Sequence, residues 1–276
     1  MQLTQISVYP IKSCRGVSLE SAEVTLKGFK GDRELMIVDE NGIFITQRQY
    51  PQLALIEVER KGETVMLSSC TGSPAAVTFP LIQTGEKVGV EIWRDRTLAI
   101  DQGNTPAQWL QAFLQTSKNI RLMGQSPDHI RPIDPQYSPS PQHPVSFADG
   151  YPFLLTNTAS LAELNRRINA NYNDTSQAVP MNRFRPNLVM ETEHPFIEDT
   201  WTQVKIGEVV FDVVKPCSRC IITTTDQKTA QRNELKEPLK TLSTFRQKGG
   251  KIFFGQNLIP RNTGVVRIFD EVLGNG

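Results

Sequence analysis

Residues 215–226 read KPCSRCIITTTD and carry two cysteines, Cys217 and Cys220, separated by a serine and an arginine. Five β-branched residues, 221–225, follow the second cysteine directly. β-Branched residues favour extended backbone, so the stretch predicts a strand that starts beside the cysteines. A thioredoxin-type redox pair stands instead at the N-terminus of a helix, where the dipole lowers the pKa of the first thiol. The sequence context therefore disfavours a redox pair, although the spacing of the cysteines suits one.

Three other interpretations of the cysteine pair remain open from the residues alone. A structural zinc site needs four ligands, usually from two such pairs, and the other two cysteines and the three histidines are scattered along the chain. The cysteines can also be small buried hydrophobic residues. Alternatively, one thiolate can bind a metal that a larger organic cofactor carries, as a dithiolene carries molybdenum. Such a cofactor ends in a phosphate, so this interpretation also requires a cluster of cationic and amide donors.

Length, composition and charge describe a protein with room for two modest domains. The chain has 276 residues, of which 38% are hydrophobic and 21% charged, and its net charge is +1. A balance this close to neutral gives no reason to expect a nucleic-acid partner. Four cysteines are too few for a disulfide framework in a chain of this length, which favours a reducing compartment. Without a spanning apolar run or a signal-peptide pattern, we expect a cytoplasmic protein with no membrane segment.

The first hundred residues read mostly as strands. Residues 34–48, ELMIVDENGIFITQR, predict a hairpin around an Asn-Gly dipeptide, since this dipeptide tolerates the positive φ angles of tight turns. Residues 87–101 alternate between apolar and polar side chains, which predicts further strand. Residues 105–116 change period after a threonine and a proline that suit a helix start, so we expect a helix there.

Residues 124–148 interrupt this pattern with six prolines, at positions 127, 132, 135, 139, 141 and 144. Proline at this density excludes a helix or a central strand, so the segment is an inter-domain linker or a loop over a site. On this basis we expect one domain at 1–120 and a second at 121–276.

The second half combines strands with two helices. A helix with apolar residues on one face follows a capping region at 157–160, and a shorter helix opens at Pro238. Residues 186–191 predict a strand, 202–216 predict a hairpin, and 264–273 predict a closing strand. The sequence thus predicts a β-rich α+β protein in two parts, with barrel-like sheets and a few helices.

Five short motifs occur in order along the chain. They are YPIKSCRG at 9–16, GFKGDRELMIVDENG at 28–42, FRPNLV at 184–189, CSRCIITTTD at 217–226 and FGQN at 254–257. With these motifs in this order, the chain resembles the MOSC family of molybdenum-cofactor-binding proteins. It resembles most the branch that contains the mitochondrial amidoxime-reducing component and its bacterial relatives. The resemblance covers nearly the whole chain and implies an N-terminal MOSC β-barrel domain followed by the MOSC domain proper, itself a β-barrel.

The resemblance also implies roles for individual residues. In that family the second cysteine of the CSRC element is the molybdenum ligand, which implies that Cys220 binds the metal and that Cys217 is supporting structure. The other implied cofactor-binding residues are Lys12, Ser13, Arg33, Arg185 and Asn187. Asp149 lies where the family has an aspartate that lines the site, and we expect it to tune the site or relay protons. The residue types suit the cofactor, because three cations can neutralise a phosphate and serine and asparagine can hydrogen-bond to a pterin.

The activity that the resemblance implies is the reduction of N-hydroxylated compounds, such as amidoximes, N-hydroxy bases or hydroxylamines, by a molybdenum enzyme. The cofactor is the molybdenum cofactor, in which molybdopterin carries the metal; pyridoxal phosphate binding is not expected. Some bacterial relatives add a ferredoxin-like domain, which needs four clustered cysteines that this sequence does not have. We therefore expect a small N-hydroxylated substrate and electrons from a separate donor protein of ferredoxin, flavoreductase or cytochrome type. The alternative is a carrier that holds the cofactor, or a sulfur species on Cys220, for delivery to another enzyme.

Overall fold

The structure is a computed structural model that describes residues 1–138, 140 and 142–276. Pro139 and Pro141, two of the six prolines of the proline-rich segment, lie outside the described residues. The helices are α1 (Asn104–Leu114), α2 (Thr158–Tyr172) and α3 (Leu239–Ser243), with 3-10 helices at Pro51–Leu55, Met181–Phe184, Ile197–Thr200 and Ile221–Thr224.

Strands make up most of the regular structure. Those of the first half are β1 (Gln2–Val8), β2 (Val17–Leu19), β3 (Ser21–Thr25), β4 (Gly28–Phe29), β5 (Leu35–Val38), β6 (Ile56–Lys61), β7 (Thr64–Ser69), β8 (Val77–Pro80), β9 (Lys87–Ile92), β10 (Asp95–Asp101) and β11 (Arg121–Gln125). Those of the second half are β12 (Phe153–Asn157), β13 (Leu188–Glu191), β14 (Gln203–Ile206), β15 (Val209–Ser218), β16 (Gln247–Lys248), β17 (Lys251–Pro260), β18 (Gly264–Arg267) and β19 (Val272–Asn275). The prediction of a β-rich α+β fold is confirmed.

The largest sheet joins the start of the chain to its second half. Its strand order is β19-β14-β15-β17-β12-β13-β1-β2, and β16 pairs beside β17. Strand β1 runs antiparallel to β13, with Leu3 opposite Met190 and Ile6 opposite Leu188. All four side chains are fully buried, so the apolar positions of the first strand belong to the core of this sheet. The loop that follows β1 is therefore held beside the loop that precedes β13.

The first half also contributes β3 and β4 to a three-stranded sheet with β18, and two smaller sheets carry the rest of it. Strands β5, β11, β10 and β9 form one sheet in that order, and β6, β7 and β8 form the other. The helix α1 packs Trp109 and Leu110 into the core that these sheets share. Its bounds lie within two residues of the helix predicted at 105–116.

The hairpin predicted around the Asn-Gly dipeptide forms, but only one of its two arms is a regular strand. The carboxylate of Asp39 accepts hydrogen bonds from the backbone N–H of Asn41 and Ile43, both at 2.9 Å, and Gly42 has a φ of +76°. Only β5 is a regular strand, because the second arm pairs through a single bridge between Val38 and Phe44. The hairpin predicted at 202–216 is present in full as β14 and β15.

Two strand predictions are wrong. The β-branched run after Cys220 forms a 3-10 helix, Ile221–Thr224, rather than a strand. The threonine hydroxyls explain this, because Thr223 Oγ1 donates to Cys220 O at 2.9 Å and Thr224 Oγ1 donates to Ile221 O at 2.7 Å, which favours a tight turn over a ladder. The closing stretch 264–273 is not one strand either. It turns at Phe269, whose φ is +72°, and splits into β18, which pairs with β3, and β19, which pairs with β14.

The helix α2 begins as the capping region at 157–160 predicts. The side chain of Asn157 accepts a hydrogen bond from Ser160 N at 2.5 Å, and Leu164 and Ile168 are buried on one face. Among the helices of the described ranges, none is both long and apolar enough to cross a lipid bilayer.

Candidate functional site

One cavity brings together every residue that the sequence predicts for the site. Lys12, Ser13, Arg33, Asp149, Arg185, Asn187 and Cys220 all line it. The first three come from the loops around β1 and β5, and the others from the loops that flank β12, β13 and β15. The pairing of β1 with β13 brings these loops together, as Ser7 N donates to Asn187 O at 2.9 Å. The chemical roles of the seven residues stay predictions.

Three of these residues have left-handed backbone. The φ angles of Ser13, Arg33 and Arg185 are +69°, +52° and +54°. For a residue with a Cβ this conformation costs on the order of 1 kcal/mol, and it persists where the surroundings hold it. Gln47 holds the first of them, since its Nε2 donates to Ser13 O at 2.7 Å. The turns therefore aim these side chains at the cavity at some cost in folding free energy.

The two cysteines of the CSRC motif both lie on the cavity wall, half-buried and unbridged. Cys220 ends the segment that leads out of β15, and the guanidinium Nη2 of Arg48 lies 3.2 Å from its Sγ. The Sγ of Cys217 has Arg219 Nη1 at 2.7 Å. Neither sulfur is sealed in an apolar core, and each lies beside a guanidinium group.

Arg33 and Arg185 both contact the ring of Tyr9 and place two positive charges side by side at the cavity. The guanidinium carbons lie 4.4 Å and 4.3 Å from the centre of the tyrosine ring, and Arg33 Nη2 donates to Arg185 O at 3.3 Å. Arg33 Nη1 also donates to Asp32 Oδ2 at 2.5 Å and to Asn187 Oδ1 at 2.9 Å. Burial lowers the pKa of Arg33, but Asp32 outweighs it and the net pKa is raised. Burial lowers the pKa of Arg185, and the charge of Arg33 adds to the effect.

Asn187 holds other residues in place rather than facing the cavity with a free amide. Its Oδ1 accepts from Arg33 Nη1 and, at 3.3 Å, from Leu154 N. Its Nδ2 donates to Ser7 O at 3.1 Å. The asparagine thus ties β1, β12 and Arg33 together.

Three guanidinium nitrogens at the cavity lack a hydrogen-bond partner within the described part of the chain. They are Arg183 Nε, Arg185 Nη2 and Arg219 Nε, and all three are buried. A buried cationic donor without an acceptor is costly, so buried guanidinium groups are normally paired with an anion. Six cations line the cavity against one carboxylate: Lys12, Arg33, Arg48, Arg183, Arg185 and Arg219 against Asp149. The donor set fits a phosphate-bearing anionic group.

Lys12 and Asp149 form a close ion pair at the edge of the cavity. Lys12 Nζ lies 2.5 Å from Asp149 Oδ1 and 2.8 Å from Phe147 O. The lysine side chain is only 6% exposed, whereas that of Asp149 is 66% exposed. Burial lowers the pKa of Lys12 to about 8, although Asp149 acts to raise it. The neighbouring Lys12 ammonium and the hydrogen bond from Trp93 hold the pKa of Asp149 well below its usual range.

A contact chain connects this ion pair to Cys220. Trp93 Nε1 donates to Asp149 Oδ1 at 3.1 Å, and the guanidinium carbon of Arg48 lies 4.3 Å from the Trp93 ring. Arg48 in turn contacts the Cys220 sulfur. Sequence reasoning did not identify Trp93 or Arg48, because both lie in stretches that read only as strand or hairpin. Two other missed cations carry a signal in the sequence: Arg219 stands inside CSRC, and Arg183 stands two residues before Arg185.

A metal site built wholly from protein side chains was one interpretation of the cysteines. Within the ranges that the structure describes, no group of three or more His, Cys, Asp or Glu side chains is arranged to hold a metal ion.

Comparison with known proteins identifies relatives along almost the full chain. The family model for the MOSC N-terminal beta barrel domain matches residues 1–117, and the model for the MOSC domain matches residues 142–273. The chain is 35% identical to human mitochondrial amidoxime-reducing component 1, over 98% of this chain and 82% of that protein. It is 34% identical to the same component of Mus musculus, over 98% of this chain and 81% of that protein. It is also 34% identical to a molybdenum cofactor sulfurase of Danio rerio, over 92% of this chain but 31% of that protein.

The resemblance carried by the five motifs is thus confirmed by identity that extends along the whole chain. Together with the strand-rich fold and the cationic cavity, these matches show that the chain belongs to the family of MOSC-domain proteins with an N-terminal MOSC β-barrel, the family that includes the mitochondrial amidoxime-reducing components.

Proposed function

We propose that the protein is a molybdenum-cofactor-dependent oxidoreductase that reduces N-hydroxylated compounds, namely amidoximes, N-hydroxy bases and hydroxylamines. The observation that carries the proposal is the cavity in which the thiol of Cys220 lies among six cations, three of which have a buried nitrogen with no partner among the described residues. A soft sulfur beside an anion-binding wall suits a metal that arrives on a phosphate-tailed organic ligand. The named relatives support the same reaction class.

The residues of the cavity divide the binding of the cofactor between them. Cys220 would provide the single protein sulfur to the metal. The guanidinium groups of Arg183, Arg185 and Arg219 would hold the anionic end, because their free nitrogens need acceptors. When bound, the molybdenum cofactor supplies the two-electron chemistry that breaks the N–O bond.

The Lys12–Asp149 pair supplies protons in this proposal. Reduction of an amidoxime to an amidine consumes two electrons and two protons and releases one water. Lys12 Nζ, with a pKa lowered to about 8, holds a proton at neutral pH and can release it more readily than an exposed lysine. Asp149 Oδ1 lies 2.5 Å away on a side chain that solvent reaches, so the carboxylate orients the lysine at a point where the lysine can regain its proton from water.

The electrons come from a separate protein in this proposal. A donor of ferredoxin, flavoreductase or cytochrome type is proposed because the cavity residues offer no redox group other than the thiols. We also propose that the protein works in the cytoplasm, where the four free cysteines remain reduced.

Metal analysis of two matched cysteine variants tests the proposal. The wild-type protein, Cys220→Ser and Cys217→Ser are purified from a host that makes the molybdenum cofactor. We expect bound molybdenum in the wild type and in Cys217→Ser, and its loss in Cys220→Ser. The molybdenum-loaded wild type should reduce benzamidoxime with a reduced viologen as donor. Molybdenum bound equally by all three proteins would overturn the role of Cys220.

A carrier protein is the second candidate, and one observation favours it: the chain also matches the sulfurase of Danio rerio over 92% of its own length. A carrier would hold the molybdenum cofactor, or a sulfur species on Cys220, and pass it on. Molybdenum-loaded protein that leaves benzamidoxime unchanged, but transfers its cofactor to a cofactor-free molybdenum enzyme, would support the carrier.

A further inference from the structure

A wide groove adjoins the cofactor cavity on its exposed side. The two spaces share Asp149, Gly150 and Tyr151, and the groove has a volume of about 930 Å³. Binding sites for small molecules have volumes of about 300–1,000 Å³, so the groove is large enough for a substrate next to the metal site. The groove also includes Pro132 and Pro135, so part of the proline-rich segment forms its wall.

Aromatic side chains stand where the groove meets the cavity. Trp93 is 44% exposed, and its indole N–H is fixed by Asp149 Oδ1 at 3.1 Å. Tyr151 is half-buried and packs edge-on against Tyr137, with 5.9 Å between ring centres. Flat side chains held in this way offer contact area to a ring of the substrate.

The charges along the groove are unevenly compensated. Two of its three carboxylates are engaged: Asp149 with Lys12, and Asp95 with Arg131 Nη2 at 2.7 Å. Asp134 remains as the third carboxylate.

Three further cations line the same groove, namely Arg94, Lys215 and Lys251. Over the described ranges of the chain, none of the three forms a salt bridge, although Lys215 Nζ lies 4.6 Å from the Tyr137 ring centre. The groove therefore presents excess positive charge beyond its aromatic junction.

We propose that this groove selects N-hydroxylated substrates whose aromatic ring also carries an anionic group, a carboxylate or a phosphate. The N–O group enters the cavity and the ring contacts Trp93 and Tyr151. The anion faces Arg94, Lys215 and Lys251. This inference rests on the proposed reductase function and names the substrate class of the same site.

Three substrates that differ only in charge test the preference. The holoenzyme is assayed with benzamidoxime, its 4-carboxylate and its 4-trimethylammonium derivative, with a small reduced viologen as the electron donor. We expect kcat/KM for the carboxylate to exceed that for the ammonium compound by about tenfold at low ionic strength, and the difference to shrink as salt is added. Equal kcat/KM values for all three substrates would overturn the proposal.

Charge reversal identifies the residues responsible. Arg94→Glu and Lys251→Glu should abolish or invert the preference, mainly through the KM of the charged substrates. Lys61→Glu is the matched control, since Lys61 is 82% exposed and lies outside the groove. A preference that survives both reversals contradicts the proposal. If the two variants raise only the KM for a protein electron donor, the cations bind that donor rather than the substrate. This result would also overturn the proposal.

A binding measurement separates this inference from the proposed function. Calorimetry of the holoenzyme with the unreactive products 4-carboxybenzamidine and benzamidine should show tighter binding of the carboxylate, and Lys251→Glu should remove the difference. If no amidoxime is turned over, the proposed reductase function is rejected. The titration would still decide whether the groove prefers an anion. Equal affinities in the wild type would reject the anion preference alone.

Discussion

The guanidinium carbon of Arg185 lies 4.3 Å from the centre of the Tyr9 ring. The hydroxyl of Tyr9 donates to Pro186 O at 3.0 Å, and the ring of Tyr9 packs so closely on Gly16 that a Cβ there would lie 2.5 Å from it. The ring is therefore fixed from two sides, and it in turn fixes the arginine. Two neighbouring cations repel each other, so a rigid aromatic ring between β1 and β13 keeps Arg33 and Arg185 in place before any anion binds.

Replacing the ring of Tyr9 should release the cofactor. Each cation–π contact is worth about 0.5–2 kcal/mol, so Tyr9→Leu should lower molybdenum occupancy at least several-fold. Tyr9→Phe keeps the ring and loses only the hydrogen bond to Pro186, so its occupancy should stay close to that of the wild type. Metal analysis and thermal unfolding are measured on the same preparations. A folded Tyr9→Leu protein with full molybdenum would show that the ring does not position the arginines.

The alkaline limb of the pH–rate profile should report Lys12. Burial lowers the pKa of Lys12 to about 8, and the carboxylate of Asp149 is the largest influence that raises it. A lysine that donates a proton loses activity as pH rises through its pKa, so the wild-type rate should fall near pH 8. Asp149→Asn removes the carboxylate and should move this limb to lower pH.

The matched control for that profile is Asp134→Asn, which removes a groove carboxylate that makes no ion pair with Lys12. Initial rates of benzamidoxime reduction across the pH range give both profiles. An alkaline limb that stays in place in Asp149→Asn would exclude Lys12 as its source.

Stability should depend on pH through Glu198, which lies away from the site. Its side chain is fully buried beside Asn157 and Ser160, and burial raises its pKa from 4.5 to about 7. The folded protein thus binds a proton at Glu198 that the unfolded chain has released between about pH 4.5 and 7. The contribution of Glu198 to the free energy of unfolding is complete below pH 4.5 and decreases as pH rises, by up to about 3 kcal/mol.

Glu198→Gln should remove this decrease, because a neutral amide has no proton to lose. Urea unfolding at acidic and at mildly alkaline pH measures the difference, and the variant should lose less stability than the wild type between the two. Glu193→Gln changes an exposed carboxyl in the same loop and should behave like the wild type. Parallel pH dependence in Glu198→Gln and the wild type would contradict the assignment.

Gly255 of the FGQN motif should not tolerate a side chain. Its φ is +78°, and a Cβ there would lie 2.6 Å from Leu155 O and 2.8 Å from Thr156 Cγ2, on the neighbouring strand β12. Gly255→Ala should therefore lower the free energy of unfolding by about 1–3 kcal/mol through backbone strain and overpacking. Gly89→Ala serves as the control, since nothing lies within 4 Å of its Cβ position. An unfolding midpoint for Gly255→Ala equal to that of the control would refute the clash.

The sequence predicted best where pattern and local chemistry agree. The hairpin of β14 and β15 and the start of α2 follow from alternation and from the Asn157 cap, and both form as expected. The strand prediction for the residues after Cys220 is wrong because the hydroxyls of Thr223 and Thr224 donate hydrogen bonds to nearby carbonyls. Strand propensity does not take this interaction into account. The prediction of one closing strand is wrong because the chain turns at Phe269, so that the two halves of the stretch pair with different strands.

The site was predictable as a set of loops but not as a contact network. The motifs identify Lys12, Arg33, Arg185 and Cys220, which the fold then gathers around one cavity. The partners that orient them come from distant positions that no local pattern marks. Trp93 is the clearest case, because it lies in the turn between β9 and β10 and yet contacts Asp149, in the loop before β12, and Arg48, beyond β5.

The pairing of β1 with β13 also limits how the chain can be divided. A fragment that began at residue 121 would lack β1, and the row of backbone N–H and C=O groups along Leu188–Glu191 would be left open. Such an uncovered edge recruits strands from other chains, so the fragment should aggregate rather than fold as an independent unit. Recombination between relatives would therefore have to exchange the first strand together with the second half, even though about 180 residues of sequence separate them.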